Sequence, residues 1–136
     1  VYSIDINPWA IRYAEENIRL NRVEHIVKPV LGDAKNVIEE RLKGTADRVL
    51  MPLPEKAYEY VDFAVKALKP DGGTIHYYDF THAKRDENPI EKVKNKICGK
   101  LRLFKIDFEV YSGRIVRTVG PRWFQIVLDI RIDKKD

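Results

Sequence analysis

Two carboxylates stand where an apolar run stops. In VYSIDINPWA the run of residues 1–5 ends on Asp5 and turns at once into Asn7-Pro8, and in IVKPVLGDA the run of residues 26–31 ends on Gly32-Asp33. An acid at the end of a strand in an open α/β sheet faces the edge where such sheets bind ligands. At that edge Asp5 can accept hydrogen bonds from both hydroxyls of a ribose. Asp33, or the backbone amide of Ala34, can read the amino group and ring nitrogen of an adenine. Each acid also fits a plainer role: Asp5 as a turn residue that caps the helix after it, and Gly32-Asp33 as a common strand-end turn. Two acids at the ends of successive strands point together to a nucleoside-type cofactor.

A third strand end carries Met51-Pro52-Leu53-Pro54. Two prolines stiffen the backbone and leave carbonyls that can accept hydrogen bonds from a planar base. The same residues also make a rigid strand-to-helix turn. Further on, His76, Tyr77 and Tyr78 share one strand, so alternate members face opposite sides, and Tyr77 can line a pocket or fill a core. Lys92, Lys94, Lys96, Lys100, Arg102 and Lys105 read as a solvated basic face. Arg114, Arg117 and Arg122 are the candidates for contacts to phosphate.

These residues need elements to position them. Residues 1–5, 26–31, 47–51 and 74–80 read as strands, with Pro29 marking an edge position. Asn7 caps and Pro8 starts a helix in which Trp9, Ile11, Ala14 and Ile18 recur at helical spacing to about Leu20. A second helix is expected at 35–43, ending at Gly44. A third carries Ala57, Val61, Ala64, Val65 and Leu68 on one face and stops at Pro70-Asp71-Gly72-Gly73. A charged helix at 88–99 is anchored by Ile90, Val93 and Ile97. Two long strands, 101–110 and 123–132, flank a segment containing Gly113, Gly120 and Pro121. The final Asp-Lys-Lys-Asp reads as a frayed tail.

The 136 residues suffice for one domain with a core. Apolar residues make up 44% and charged residues 34%, an ordinary globular balance. No apolar stretch approaches the roughly 20 residues of a membrane span. The single cysteine, Cys98, forms no internal disulfide, which suits a reducing cytoplasm. His25, His76 and His82 are scattered without metal-ligand spacing. A net charge of +4 fits an anionic partner. Abundant Glu, Lys, Arg and Ile beside one Met, one Cys and one Gln hint at a heat-adapted source.

Strands alternating with helices imply an α/β fold with a mostly parallel sheet, and the last two strands should pair antiparallel. Alternating units with a closing hairpin resemble the Rossmann-like class I methyltransferase variant of the doubly wound fold. The segments VYSIDINPWAIRYAEENIRLN, GDAKNV, ADRVLMPLPEKAYEYVDFA, GGTIHYYDF and RIVRTVGPRWFQIVLDIRI resemble, in order, the C-terminal part of the archaeal-eukaryotic tRNA (guanine-37, N1)-methyltransferases. The resemblance implies methyl transfer from S-adenosylmethionine to N1 of the guanine beside the anticodon, with tRNA as partner. It gives Asp5 the ribose hydroxyls and Asp33, with Ala34, the adenine. It sets Pro52-Leu53-Pro54 in the place of the family's Asn-Leu-Pro, beside the target base.

Two departures are expected to matter. The first strand and its glycine-rich loop are absent, so residues 1–136 read as the C-terminal portion of a catalytic domain, and the strands of residues 1–5 and 47–51 lose a shared neighbour. The family's base and O6-stabilising residue, a glutamate and an arginine, lie upstream of the matched segments, so no catalytic residue is assigned here. Pro52 also replaces the asparagine, which resembles the branch that methylates a tricyclic wyosine precursor as well, at the same tRNA position. Two other readings compete: an aminocarboxypropyl transferase of wyosine synthesis, and a non-catalytic domain that binds tRNA.

Overall fold

The computed structural model describes residues 1–134 and divides into two units, Val1–Leu42 and Lys43 to the end of the chain. In the first unit β1 (Tyr2–Asp5) leads into α1 (Pro8–Leu20), followed by β2 (Lys28–Leu31) and α2 (Ala34–Val37). β1 and β2 pair in parallel with Asp5 opposite Leu31. The Asn7 side chain accepts from the Trp9 N–H at 2.9 Å, and Pro8 takes the first helical position, where its missing N–H costs nothing. Ile4 packs against Val30, Val37 and Leu42 beneath the pair, and Ile11 and Ile18 of α1 are also buried. α2 is shorter than expected: after Val37 the chain widens into a π-helical turn, Ile38–Leu42.

Trp9 lies outside this packing and is 60% exposed. The spacing explains why. Ile11, Ala14 and Ile18 follow a three-then-four step that keeps one face, whereas Trp9 precedes Ile11 by two residues and so projects from the opposite side.

The second unit holds β3 (Arg48–Met51), α3 (Pro54–Ala67), β4 (Gly73–His82), α4 (Pro89–Leu101), β5 (Asp107–Gly120) and β6 (Trp123–Asp133). Its sheet runs β3-β4-β6-β5. β3 and β4 are parallel, and β6 pairs antiparallel with β4 on one side and β5 on the other. Parallel pairing at the crossovers and the closing hairpin match expectation, but the strands divide between two sheets. β1 and β3 are not partners of each other among the described residues.

Both helices cover one face of this sheet. Val61, Ala64, Val65 and Leu68 of α3 and Val93, Ile97 and Leu101 of α4 close over Ile75, Tyr77, Ile126, Leu128, Ile130 and Ile132. The Gly72-Gly73 pair lets β4 start hard against its neighbours. Gly72 has φ +102, and a Cβ there would sit 2.1 Å from the Ile132 carbonyl oxygen.

The last third differs from the sequence reading. Leu101 closes α4, Arg102–Phe104 forms a 3-10 turn, and Lys105 takes a left-handed conformation before β5 begins. Gly113 lies within β5, not in a connection: a Cβ there would come within 2.9 Å of both Ile90 Cγ2 and Leu128 Cδ2, so glycine lets α4 approach the strand. The hairpin loop is only Pro121-Arg122. The expected frayed tail is partly ordered, since Asp133 ends β6 and the Lys134 ammonium donates to the Leu68 carbonyl at 2.7 Å. Lys135 and Asp136 lie outside the described residues.

Tyr77 is fully buried, and its hydroxyl donates to Asp79 Oδ2 at 2.6 Å. Burial first, and then the bond to that carboxylate, push the phenol well above its ordinary value. With the folded pKa above the unfolded one, the stabilisation is complete below about pH 10 and is lost as pH rises from there. Urea unfolding at pH 9, 10 and 11 should therefore show wild-type stability falling faster than that of Tyr77→Phe, by up to about 1.4 kcal/mol per pH unit. Parallel profiles would contradict this.

Candidate functional site

Asp5 closes β1 and stays exposed. Its Oδ1 accepts the Asn7 N–H at 2.9 Å, which holds the carboxylate at the strand end. The other oxygen has no partner among the described residues, so it remains able to accept from a ligand hydroxyl. The Gly32 N–H donates to the Asp5 carbonyl at 3.0 Å, so the carboxyl ends of β1 and β2 meet. That bond brings Asp5 and Gly32-Asp33 to one edge.

Asp33 caps α2, with Oδ1 accepting the Lys35 N–H at 2.9 Å, and Ala34 is the first helical residue. The plain turn expected at Gly32-Asp33 is thus also a helix cap, which fixes where the carboxylate sits. Ile6, which the sequence reading passed over, follows Asp5 and is 70% exposed. An exposed apolar residue beside two carboxylates is suited to flank the face of a purine. A polar pair for a ribose and an adenine edge, with an apolar neighbour, fits a nucleoside.

In the second unit Met51 ends β3, Leu53 takes the N-cap position, and Pro54 starts α3. The Leu53 carbonyl accepts from Ala57 N at 3.0 Å and Lys56 N at 3.1 Å. That corrects the expectation that this turn leaves its carbonyls open, because the first turn of α3 takes that of Leu53. Among the described residues the Pro52 carbonyl carries no turn or cap bond of this kind. Pro52 and Leu53 are both exposed.

β4 holds the group that the sequence reading missed. Asp79 is only 5% exposed. Its Oδ2 accepts from the Tyr77 hydroxyl at 2.6 Å and the Lys96 ammonium at 2.8 Å, and its Oδ1 from the Phe80 N–H at 2.8 Å. The signal lay in the strand period, since residues 75, 77 and 79 share the core face. Tyr77 is core, not pocket lining.

The lysines of α4 are not simply solvated. Lys96 and Lys100 both lie over the Tyr58 ring, at 4.7 and 4.4 Å, and Lys100 donates to the Tyr58 carbonyl. Lys92 donates to the His82 carbonyl at 2.8 Å and pairs with Glu87 at 3.0 Å. These contacts join α4 to α3 and to the end of β4. Arg122 is spent as well: its guanidinium donates to the carbonyls of Ala83 and Lys84 at 2.7 and 2.6 Å. Arg114 and Arg117 remain exposed on β5.

Among the described residues no group of His, Cys, Asp or Glu could hold a metal ion, and no helix is long and apolar enough to cross a membrane.

The strand ends carrying Asp5 and Asp33, with the antiparallel closing hairpin, define an α/β protein of the class I methyltransferase type. The sequence profile of the TRM5/TYW2 methyltransferase domain matches residues 1–106, and the chain belongs to that family. The chain is 38% identical over 132 residues to the tRNA (guanine(37)-N(1))-methyltransferase Trm5b of Pyrococcus abyssi, covering 97% of this chain and 37% of the relative. It is 36% identical to the tRNA(Phe) (4-demethylwyosine(37)-C(7)) aminocarboxypropyltransferase of Methanocaldococcus jannaschii, covering 98% and 51%. The solved structure of M. jannaschii TYW2 in complex with AdoMet superposes with a TM-score of 0.81 at 32% identity, covering 99% of this chain and 58% of that one. The chain thus spans between about a third and a half of the curated relatives it matches.

Proposed function

We propose that the protein transfers a methyl group from S-adenosylmethionine to N1 of guanine 37 in tRNA. The observation that carries the cofactor half is the pair of acids Asp5 and Asp33, brought to one edge by the bond from Gly32 N–H to the Asp5 carbonyl. Asp5 accepts from the ribose hydroxyls, Asp33 and the Ala34 amide read the adenine, and Ile6 flanks the ring. When bound, the cofactor supplies an electrophilic methyl group on a sulfonium. Pro52, Leu53 and Pro54 receive the target base. N1 of guanine must lose a proton as the methyl arrives, and charge developing on O6 requires a donor. No residue of this chain is assigned either role. A cytoplasmic setting belongs to the same proposal.

One relative at 36% identity transfers an aminocarboxypropyl group, which favours a second reading of the same site. S-adenosylmethionine labelled either in its methyl group or in its carboxyl carbon separates the two. The full-length protein is expected to transfer only the methyl label to tRNA. Transfer of the carboxyl label would establish the alternative.

Pro52 removes the side-chain amide that an asparagine would offer the base, so the pocket is expected also to admit a tricyclic wyosine precursor. Restoring that amide adds about one hydrogen bond to guanine, roughly 1.4 kcal/mol or tenfold. Pro52→Asn should therefore raise the ratio of kcat/KM for guanine-37 tRNA over precursor tRNA by about tenfold. An unchanged ratio would remove Pro52 from the determinants of choice.

A further inference from the structure

Both helices of the second unit cover one face of its sheet, and the other face carries a different kind of surface. Residues opposite each other across a ladder share a face. Trp123, Gln125 and Val127 of β6 lie opposite His82, Phe80 and Tyr78 of β4, and on the far side opposite Gly120, Arg117 and Arg114 of β5. Aromatic rings and arginines therefore occupy one surface.

That surface is built. Trp123 is 48% exposed, and the His82 ring meets it edge-on with centroids 5.3 Å apart. The Gln125 side chain accepts from Arg117 Nε at 2.8 Å, which orients the guanidinium and leaves its outer N–H groups available. Arg114 has no carboxylate partner among the described residues. The hairpin tip behind Trp123 is held firmly: Arg122 has φ +59, the Ala83 N–H donates to its carbonyl at 3.0 Å, and its guanidinium bonds the Ala83 and Lys84 carbonyls. A residue kept at positive φ by three such bonds marks a shape that is maintained.

Position and charge say what would lie there. β4 pairs with the end of β3 at Met51 opposite Tyr77 and runs five residues further, to His82. At about 3.3 Å per residue, Trp123 stands roughly 17 Å beyond the end of β3, on the side where Pro52 and Leu53 follow. The exposed cations of this face are Arg114 and Arg117, in a unit with 19 Lys and Arg against 14 Asp and Glu, of which Lys92, Lys94, Lys96 and Lys100 lie on α4 across the sheet. Unstacked bases of RNA loops are held on aromatic rings, with arginines on the neighbouring phosphates.

We propose that this face holds a nucleotide of the anticodon loop next to the target base, Trp123 stacking on its base and Arg117 and Arg114 contacting flanking phosphates. The proposal rests on the tRNA reading above. Trp123 and Arg117 are positioning residues, remote from the transferred methyl group.

The test uses the full-length protein and a fluorescently labelled anticodon stem-loop RNA. Trp123→Ala should weaken RNA binding and raise KM for tRNA about tenfold, with kcat within about twofold, and Trp123→Phe should restore both. Arg117→Ala should lower the salt dependence of binding by about one phosphate contact. Affinity for S-adenosylmethionine and the unfolding temperature should not change. Unaltered RNA binding by Trp123→Ala, or a loss seen only together with lost cofactor affinity and stability, would overturn the proposal; the second result would mean that a protein segment covers Trp123. A wild-type protein that binds no stem-loop would overturn it too. Binding that depends on Trp123 without methylation would instead leave this surface standing and remove the methyltransferase reading.

Discussion

Asp5→Ala in the full-length protein is expected to raise the dissociation constant for S-adenosylmethionine at least about 100-fold. A carboxylate accepting from two ribose hydroxyls makes two charge-assisted hydrogen bonds, each worth about 1.5–3 kcal/mol. Losing both costs roughly 3 kcal/mol or more, and each 1.4 kcal/mol is tenfold. Folding should suffer little, because Asp5 is exposed and its side chain's one internal bond is the 2.9 Å contact with the Asn7 N–H. Loss of that turn bond should cost about 1 kcal/mol. Asp5→Asn keeps the turn acceptor and removes the charge, so its affinity should fall between the two. Calorimetric titration of cofactor into the three proteins measures this directly, and equal affinities would dissociate Asp5 from the cofactor.

The largest expected effect on stability is at Asp79. Asp79→Ala would leave the buried Tyr77 hydroxyl without its acceptor and the Lys96 ammonium without its counter-charge. Breaking a buried pair costs about 3–5 kcal/mol when the orphaned charge stays buried. The Lys96 side chain is 46% exposed and can recover water, so a loss of about 2–4 kcal/mol is expected here. Removing the matching donor as well should recover part of it, so Asp79→Leu with Tyr77→Phe should be less destabilised than Asp79→Leu alone. Urea unfolding gives both values. A loss below about 1 kcal/mol for Asp79→Ala would mean that the network does not hold β4 to α4.

The legible parts of the chain were those where local chemistry and packing agree. Asn7-Pro8, Pro54 and the Pro70–Gly73 stop mark element ends because caps and fixed φ angles act over one turn. Asp5 and Asp33 were legible for the same reason, as strand-end acids followed by helix starts. What escaped depends on partners distant in sequence. Gly113 reads as a loop residue until Ile90 and Leu128 are seen to crowd it. Asp79 draws no notice until Lys96, 17 positions later, is found beside it. Arg122 reads as a free cation, yet its three bonds go to a segment 38–39 residues earlier. The basic residues of α4 were misjudged likewise, since helical spacing shows a polar face but not that Tyr58 and Asp79 stand against it.

The function rests on which atom receives the methyl group. The most direct measurement is to incubate the full-length protein with S-adenosylmethionine and unmodified tRNA carrying guanine 37, then digest and map the modified nucleoside by mass spectrometry. The wild type should yield 1-methylguanosine at position 37, and Asp5→Ala far less of it at a cofactor concentration that half-saturates the wild type. A methyl group on another atom or nucleotide, or 1-methylguanosine formed equally well without the Asp5 carboxylate, would contradict the proposed function.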